Sequence, residues 1–412
     1  MQFALLISVI IAILLSTFLL LTHVQSFFSI KSQELIEASE LVNKQIFKSF
    51  ADTGITKDTI QTNIGNNVTK LVSNYHGVWT KTVSKVQIRN KKVVKIAFTG
   101  SVIDQKTPNL YLADKNSPLV VVGNTRIEGN SYLPEQGIKA GNISGNYYHG
   151  TRLFYGRTIK SKKRIPELHP EWIEYLESMC AGAHLTEKNI IPLSKEIKNS
   201  FHNSTNIIYN TEKIVLGDEI ISGNIIVQSA SKIIINSTSQ LTDVILIAPI
   251  IEVQNDVKGT IQLIATKKIK IGKRCHLSYP SSIILFDNNS SQNSLHTNTT
   301  QNQIPDFNIN INTIIEGAVV YLKKTKEIQN RIKTNIKVEN NVQIIGEFYC
   351  QGNTDFQGTV KGALYVNQFI ANQSGSIYLN HLYNGKVLKN PVSDYAGLSF
   401  ENSKKNVAKW MY

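Results

Sequence analysis

The sequence predicts a mainly β protein: an N-terminal transmembrane helix, a small β-rich unit, then a parallel β-helix with a helical insertion. Three observations predict it. An apolar run, Phe3 to Leu21, with only Ser8, Ser16 and Thr17 as mildly polar members, opens the chain. Short Ile- and Val-rich runs then recur through most of the remainder, separated by Asn and Gly. Charged residues make up 18% of the 412 and apolar residues 42%, so the chain can bury a large core and lacks the high charge of a disordered one. The alternative is an antiparallel β-sandwich. It needs a hairpin turn at each reversal, and few Asn-Gly or Asp-Gly pairs stand between the runs.

Residues 1–24 read as the anchor, with Phe3, Leu6, Ile10, Ile13 and Leu20 facing lipid. At ~1.5 Å per residue the run covers roughly 28 Å, close to the hydrocarbon thickness of a bilayer. Nothing basic precedes it and no A-x-A site follows, which favours a retained anchor over a cleaved signal peptide. Its exit flank mixes Lys31, Lys44 and Lys48 with Glu34, Glu37 and Glu40, so charge asymmetry gives little orientation. The Asn- and Ser/Thr-rich body points to a location outside the cytoplasm, periplasmic or on the surface.

Residues 25–54 continue as an amphipathic helix, its stripe read as Leu35, Leu41/Val42, Ile46 and Phe50, with Gly54 as the stop. Residues 55–117 form the small β-rich unit, where Val83, Val86 and Ile88 and then Val93, Val94, Ile96 and Phe98 flank a hairpin turn at Arg89-Asn90-Lys91. The β-helix is placed at 118–376. Its clearest runs are Ile214–Leu216, Ile225–Val227, Ile233–Ile235, Val244–Ile247, Ile250–Ile251, Ile261–Leu263, Ile269–Ile271 and Ile283–Leu285. Alternate runs are roughly 18–20 residues apart, the length of one coil of a parallel β-helix. Asn, Asp and Gly would fill the corners, where left-handed backbone is needed. An insertion at 161–200 contains a helix over Pro166–Gly182, with Trp172, Tyr175, Leu176 and Met179 on one face. Residues 287–307 form a flexible polar loop, and 377–412 a C-terminal tail or cap.

No catalytic signature is present: no G-x-S-x-G, P-loop, G-x-G-x-x-G or H-E-x-x-H. The nine histidines lack metal-ligand spacing, and Cys180, Cys275 and Cys350 are too scattered for a framework or a redox pair. No enzyme activity, cofactor or metal is therefore expected. A β-helix polysaccharide lyase or hydrolase would need carboxylates converging from adjacent coils. Among Asp218, Glu219, Asp243, Glu252, Asp256, Asp287 and Asp355, adjacent Asp218 and Glu219 would point to opposite faces of a strand. The formal charge of +14 gathers in three clusters: Lys160, Lys162, Lys163 and Arg164; Lys267, Lys268, Lys270, Lys273 and Arg274; and Lys323, Lys324, Lys326, Arg331, Lys333 and Lys337. Aligned on a solenoid, Lys162, Lys163, Arg164, Lys268, Lys270, Lys273, Arg274, Lys323 and Lys324 would form a strip for an anionic polymer, such as an envelope glycan. Aromatic residues are sparse in these stretches, which disfavours nucleic acid. Trp172, Tyr175, Trp410 and Tyr412 are candidate partner contacts.

Three resemblances add to this reading. The stretch ALLISVIIAILL, running into an amphipathic helix and a β-rich body, resembles minor type IV pilins and type II secretion pseudopilins. Ile7 stands where those families carry a Glu and no basic leader precedes Phe3, so a plain bitopic anchor is preferred. Residues 342–370, with strict alternation around Gly346, Gly358 and Gly362, resemble the bactofilin β-helix. The order of anchor, β unit, glycine-rich β-helix and an ending YLNHLYNG…VAKWMY resembles membrane-anchored β-helix envelope proteins of Bacteroidetes. Together these imply a structural or assembly protein of the cell envelope, with a pilus-like or secretion machine as one setting. Its expected partners are the lipid bilayer and either other envelope proteins or further copies of itself. The alternatives are a binding module for an anionic polymer or DNA and, last, the polysaccharide enzyme.

Overall fold

A computed structural model describes residues 2–51, 59–64, 67–104, 106–287, 305–324, 333–373, 375–389, 395–401 and 403–411. Gly54, most of the polar loop (288–304), Lys326, Arg331 and Tyr412 lie outside the described residues. The chain is mainly β, with one long N-terminal helix. It divides into two units: Met1–Asn74 with Thr82–Ala97, and Tyr75–Lys81 with Phe98–Tyr412.

In the first unit a single helix, α1, runs Gln2–Lys48. No Gly or Pro interrupts it. Within its apolar part, the hydroxyls of Ser8, Thr17 and Thr22 donate to carbonyls one turn back (Leu5, Leu14 and Leu19), so these polar groups are satisfied internally. Its second half packs on an antiparallel sheet through Glu34, Ala38, Val42 and Ile46, four residues apart and all buried. The expected stripe is thus corrected by one position. Leu35 is exposed, because the acid at 34 takes the sheet-facing place. The sheet includes Ile60–Ile64 antiparallel to the strand from Asn67, then a hairpin turning at Arg89-Asn90 as the sequence predicts. Ser84 Oγ donates to Gln45 Oε1 (2.6 Å) and Lys95 Nζ to Asn43 Oδ1 (3.0 Å), fixing the helix on this sheet face.

The second unit is built from parallel ladders. Ile214 lies beside Ile233, then Ile251, Ile269, Phe307 and Ile336, each at the same register in the next strand. Two residues on, Leu216, Ile235, Val253, Ile271, Ile309, Val338 and Phe356 form a second column. Another face has Val227, Leu246, Leu263, Ile283, Val319, Phe348, Leu364 and Leu110 in line. All these side chains are buried in one continuous apolar core.

Corners between faces carry the residues the sequence predicts for left-handed backbone: Asp256, Asn312 and Asn341, with φ of 62°, 60° and 60°. Arg274 shares this conformation at φ 55°, and its side chain makes a bidentate ion pair with Asp256 (2.7 and 2.8 Å). Gly317, Gly346 and Gly362 stack in register with φ near 140°. A Cβ on Gly346 would lie 2.2 Å from the Gly317 carbonyl oxygen, so the alternating glycines mark a bend whose backbones touch.

The strand order is not the sequence order. Residues 110–160 pair beyond the C-terminal strands: Leu110 beside Leu364, Ile127 beside Val387, Val120 beside His381, and Tyr155 beside Glu128 at the far edge. The segment at 376–388 therefore contributes ladder strands rather than a tail. The chain then returns to the opposite end through 161–195. Along this strap Lys162 meets Tyr111, Pro166 meets Tyr349, Glu177 pairs with Lys324, His184 sits beside Gln228, and Ile191 bonds Ile207. Its helix, α2, spans Pro170–Cys180 with Pro at the first position and Gly182 just after the end. The predicted insertion is thus a strap running along the ladder.

Candidate functional site

The anchor residues Phe3, Leu6, Ile10, Ile13 and Leu20 are all exposed, between 49% and 84%. The helix is long and apolar enough to cross a membrane. Apolar exposure continues through Phe27, Phe28 and Ile30. The change of surroundings comes at Glu34. Its buried carboxylate accepts from Lys31 (3.0 Å) and Arg89 (2.7 Å), and this pairing, led by Lys31, holds its pKa below the usual range.

The predicted cationic strip does not assemble. In the ladder Lys270 lies between Glu252 and Asn308, followed by Lys337 and Asp355, so the outward column alternates in character. Arg274 is paired with Asp256 and Lys324 with Glu177. Lys323 follows a different face beside Asp287, and Lys268 lies beside Ile250. Lys162, Lys163 and Arg164 are exposed at the start of the strap. Parallel pairing sets side by side residues that lie far apart in sequence, such as Glu252 and Lys270, and basic residues clustered along the chain do not recur at that spacing. Lys270 and Lys273 do line a polar groove of about 250 Å³ with Glu252, Gln254, Asn255 and Asn310.

The carboxylates do not converge either. Asp218 pairs with Lys195 at the surface and Asp256 with Arg274 at a corner. Asp243 is different. It sits in left-handed backbone (φ 59°) at a bulge, and both its oxygens accept from Lys409 Nζ (2.6 and 2.7 Å). This pair borders an open groove of about 400 Å³ lined also by Lys198, Phe201, Thr242 and Trp410. The sequence names Asp243 and Trp410 separately and offers no signal that joins them.

Trp172 is corrected as a partner contact. It is fully buried, and its indole N–H donates to Gly77 O (2.9 Å), while Tyr175 OH accepts from Gly77 N (3.1 Å). The two side chains clamp the Val78 turn, whose amide is bonded to Gln262 Oε1 (2.8 Å).

Two buried titratable groups escape sequence reading. Glu347 lies in register with Ala318 and Ala363, beneath the segment 395–400. Its carboxylate accepts from Leu398 N (2.5 Å), yet burial pushes its pKa up to about 8. His76 is enclosed by Phe98 and Phe201, and burial lowers it to about 3. The three thiols are free, Cys275 and Cys350 buried and Cys180 half-buried, and burial raises all three away from reactive thiolate. Among the described residues no group of three or more His, Cys, Asp or Glu is placed to hold a metal.

Comparison with family models, with curated proteins and with solved structures finds no match to this chain.

Proposed function

We propose that this chain is a membrane-anchored structural or assembly protein of the cell envelope. The first part of α1 fixes it in the bilayer, and a parallel β-solenoid projects outside the cytoplasm as a rigid scaffold. The observation that carries this reading is the break in α1. Phe3 to Leu21 presents apolar side chains on every side and Phe27, Phe28 and Ile30 stay exposed beyond it, whereas Glu34, Ala38, Val42 and Ile46 are seated on the sheet. An apolar helix surface of that length left in water would be an aggregation hazard, and a bilayer removes it. The ladders support a solenoid because each face repeats in register and the inward columns are continuous. Such a body supplies geometry, because each layer contacts only its neighbours.

A pilus-like or secretion machine is one setting for it, supported by a long helix whose second half lies on an antiparallel sheet. The test is a native pull-down of the full chain in mild detergent, with mass spectrometry of co-purifying chains and protease protection in spheroplasts, whose periplasmic side is open to protease. Recovery with envelope proteins at fixed stoichiometry, with the body cleaved in unlysed spheroplasts, is expected. Recovery of the chain alone would remove the machine component, and a body cleaved only after the spheroplasts are lysed would overturn the topology.

A further inference from the structure

The first unit holds a charge arrangement that its own fold does not explain. Its sheet segments, 60–74 and 82–97, contain Lys70, Lys85, Arg89, Lys91, Lys92 and Lys95 and not one Asp or Glu. Strand alternation sorts these cations. Ser84 and Lys95 bond α1, so Lys85, one position from Ser84, and Lys92, three positions from Lys95 on the same strand, face the opposite side. Lys70 is exposed between buried Thr69 and Leu71 and joins them. Lys85 is lowered from its ordinary value first by the charge of Lys92, with Lys70 adding to it. Like charges set side by side on neighbouring strands oppose folding. Half-buried Val68, Val72, Val83 and Val94 lie on the same side, which the lysine stems cover.

The position of this surface names the occupant. The hairpin tip is tied to α1 by Arg89 on Glu34, four residues beyond Ile30, the last exposed apolar residue before it. Phe3 to Ile30 covers about 42 Å of helix, the thickness of a bilayer with its head-group layers, and four more residues add about 6 Å, so the tip lies at the outer edge of the lipid head groups. Lys31, Arg89, Lys91 and Lys92 stand at that depth, within a Debye length (~8 Å) of a charged interface.

We propose that the acid-free face of this sheet, with Lys70, Lys85 and Lys92 at its centre and Arg89 and Lys91 at its tip, binds the phosphates of anionic lipid head groups in the membrane that holds α1. This rests on the anchoring reading above. The sheet would act as a second contact, holding the first unit against the bilayer surface and so setting its tilt. Each lysine near an anionic surface is worth about fivefold in partitioning, so neutralising three removes on the order of 10²-fold.

The experiment uses the full chain and a Lys70→Gln/Lys85→Gln/Lys92→Gln variant, both purified in mild detergent. Retention of phosphatidylglycerol and of phosphatidylcholine is counted by native mass spectrometry, and carbonate-resistant flotation with vesicles is measured in parallel. The wild type should retain phosphatidylglycerol preferentially, less so in 0.5 M salt. The variant should lose that preference on the order of 10²-fold while floating normally and unfolding at an equal or higher temperature, since its mutual repulsion is relieved. Flotation without lipid preference, or a preference the variant keeps, overturns the head-group site alone. Failure of the wild type to float overturns the anchor, and with it this proposal. Tighter binding of soluble polygalacturonate than of phosphatidylglycerol would also overturn it, in favour of an anionic polymer.

Discussion

Burying Glu347 makes the hold on the segment 395–401 depend on pH. Its carboxyl is buried beside Gly397 and Leu398 N, and burial, which raises its pKa, outweighs the Leu398 amide, which lowers it. The rings around it, Tyr279, Tyr365 and Tyr395, are themselves driven upward and stay neutral. Each tenfold difference in proton affinity is 1.36 kcal/mol, so a carboxyl at about 8 rather than 4.5 differs by ~5 kcal/mol. The folded chain binds this proton more tightly than the opened one. Stability from this group is therefore complete below pH 4.5 and is lost as pH rises through about 8, with a slope near 1.4 kcal/mol per pH between them. The assay is hydrogen exchange at the Leu398 amide in the full chain, corrected for intrinsic rate, from pH 5 to 8. Wild-type opening should become easier by ~3–4 kcal/mol across that range. Glu347→Gln keeps an acceptor for Leu398 N and cannot ionise, so its opening energy should stay flat. Parallel curves for the two proteins would refute the reasoning.

Three further outcomes follow from the geometry. Gly346→Ala, with φ of 136° and a Cβ 2.2 Å from the Gly317 carbonyl, should cost about 3 kcal/mol or more by denaturant titration. Gly137→Ala, at φ 73° with open space around it, should cost only ~1 kcal/mol, and equal losses would discredit the close-approach argument. Replacing His76 by Leu should flatten the acid side of the stability profile. A neutral histidine lowered to about 3 contributes stability above pH 6.5 that is lost as pH falls toward 3, so an unchanged acid limb would show that His76 is not enclosed. For Asp243 and Lys409, a double-mutant cycle (Asp243→Asn, Lys409→Met) read by proteolysis of Lys405–Met411 should give a coupling of ~1 kcal/mol; zero coupling would make the pair incidental.

The repeat was legible because its physics is local. Ile at 214, 233, 251 and 269 recurs every 18 or 19 residues and stands in register in successive parallel strands, and Asn or Asp falls where the backbone turns left-handed. The hairpin at Arg89 and the helix at Pro170 carried their own signals, a polar turn between alternating strands and a Pro at the first helical position. The order of the ladder was hidden. Nothing in residues 110–160 says that they stack on 359–388, since an Ile- or Val-rich strand pairs equally well with any neighbour of the same register. The fate of the cations was hidden for the same reason, because the residue beside Lys270 is decided by strand register and not by closeness in sequence. One overlooked signal was present. The runs VILIA, IQLIA, AVVYL and EFYC do not alternate, which is the pattern of strands covered on both sides.

That covering decides where chemistry can lie in the second unit. On the face of these runs the outward column is Ile226, Ile245, Gln262, Ser282, Ala318, Glu347 and Ala363, and the strap and the segment at 395–401 lie against it. Gln262 there serves the Val78 turn and Glu347 the Leu398 amide, so the polar groups of the face are spent on holding the chain's own segments. The face that remains outward carries Val215, Ile234, Glu252, Lys270, Asn308 and Lys337, mixed in character down its length, and the column ends on the buried Asp355. A column of alternating character neutralises itself between layers. Among the described residues this column sets neither like cations nor paired acids side by side, because strands that stack at van der Waals distance select against like charges in register. The lysines at 70, 85 and 92 run against that tendency, and the anionic head groups proposed above would be their complement.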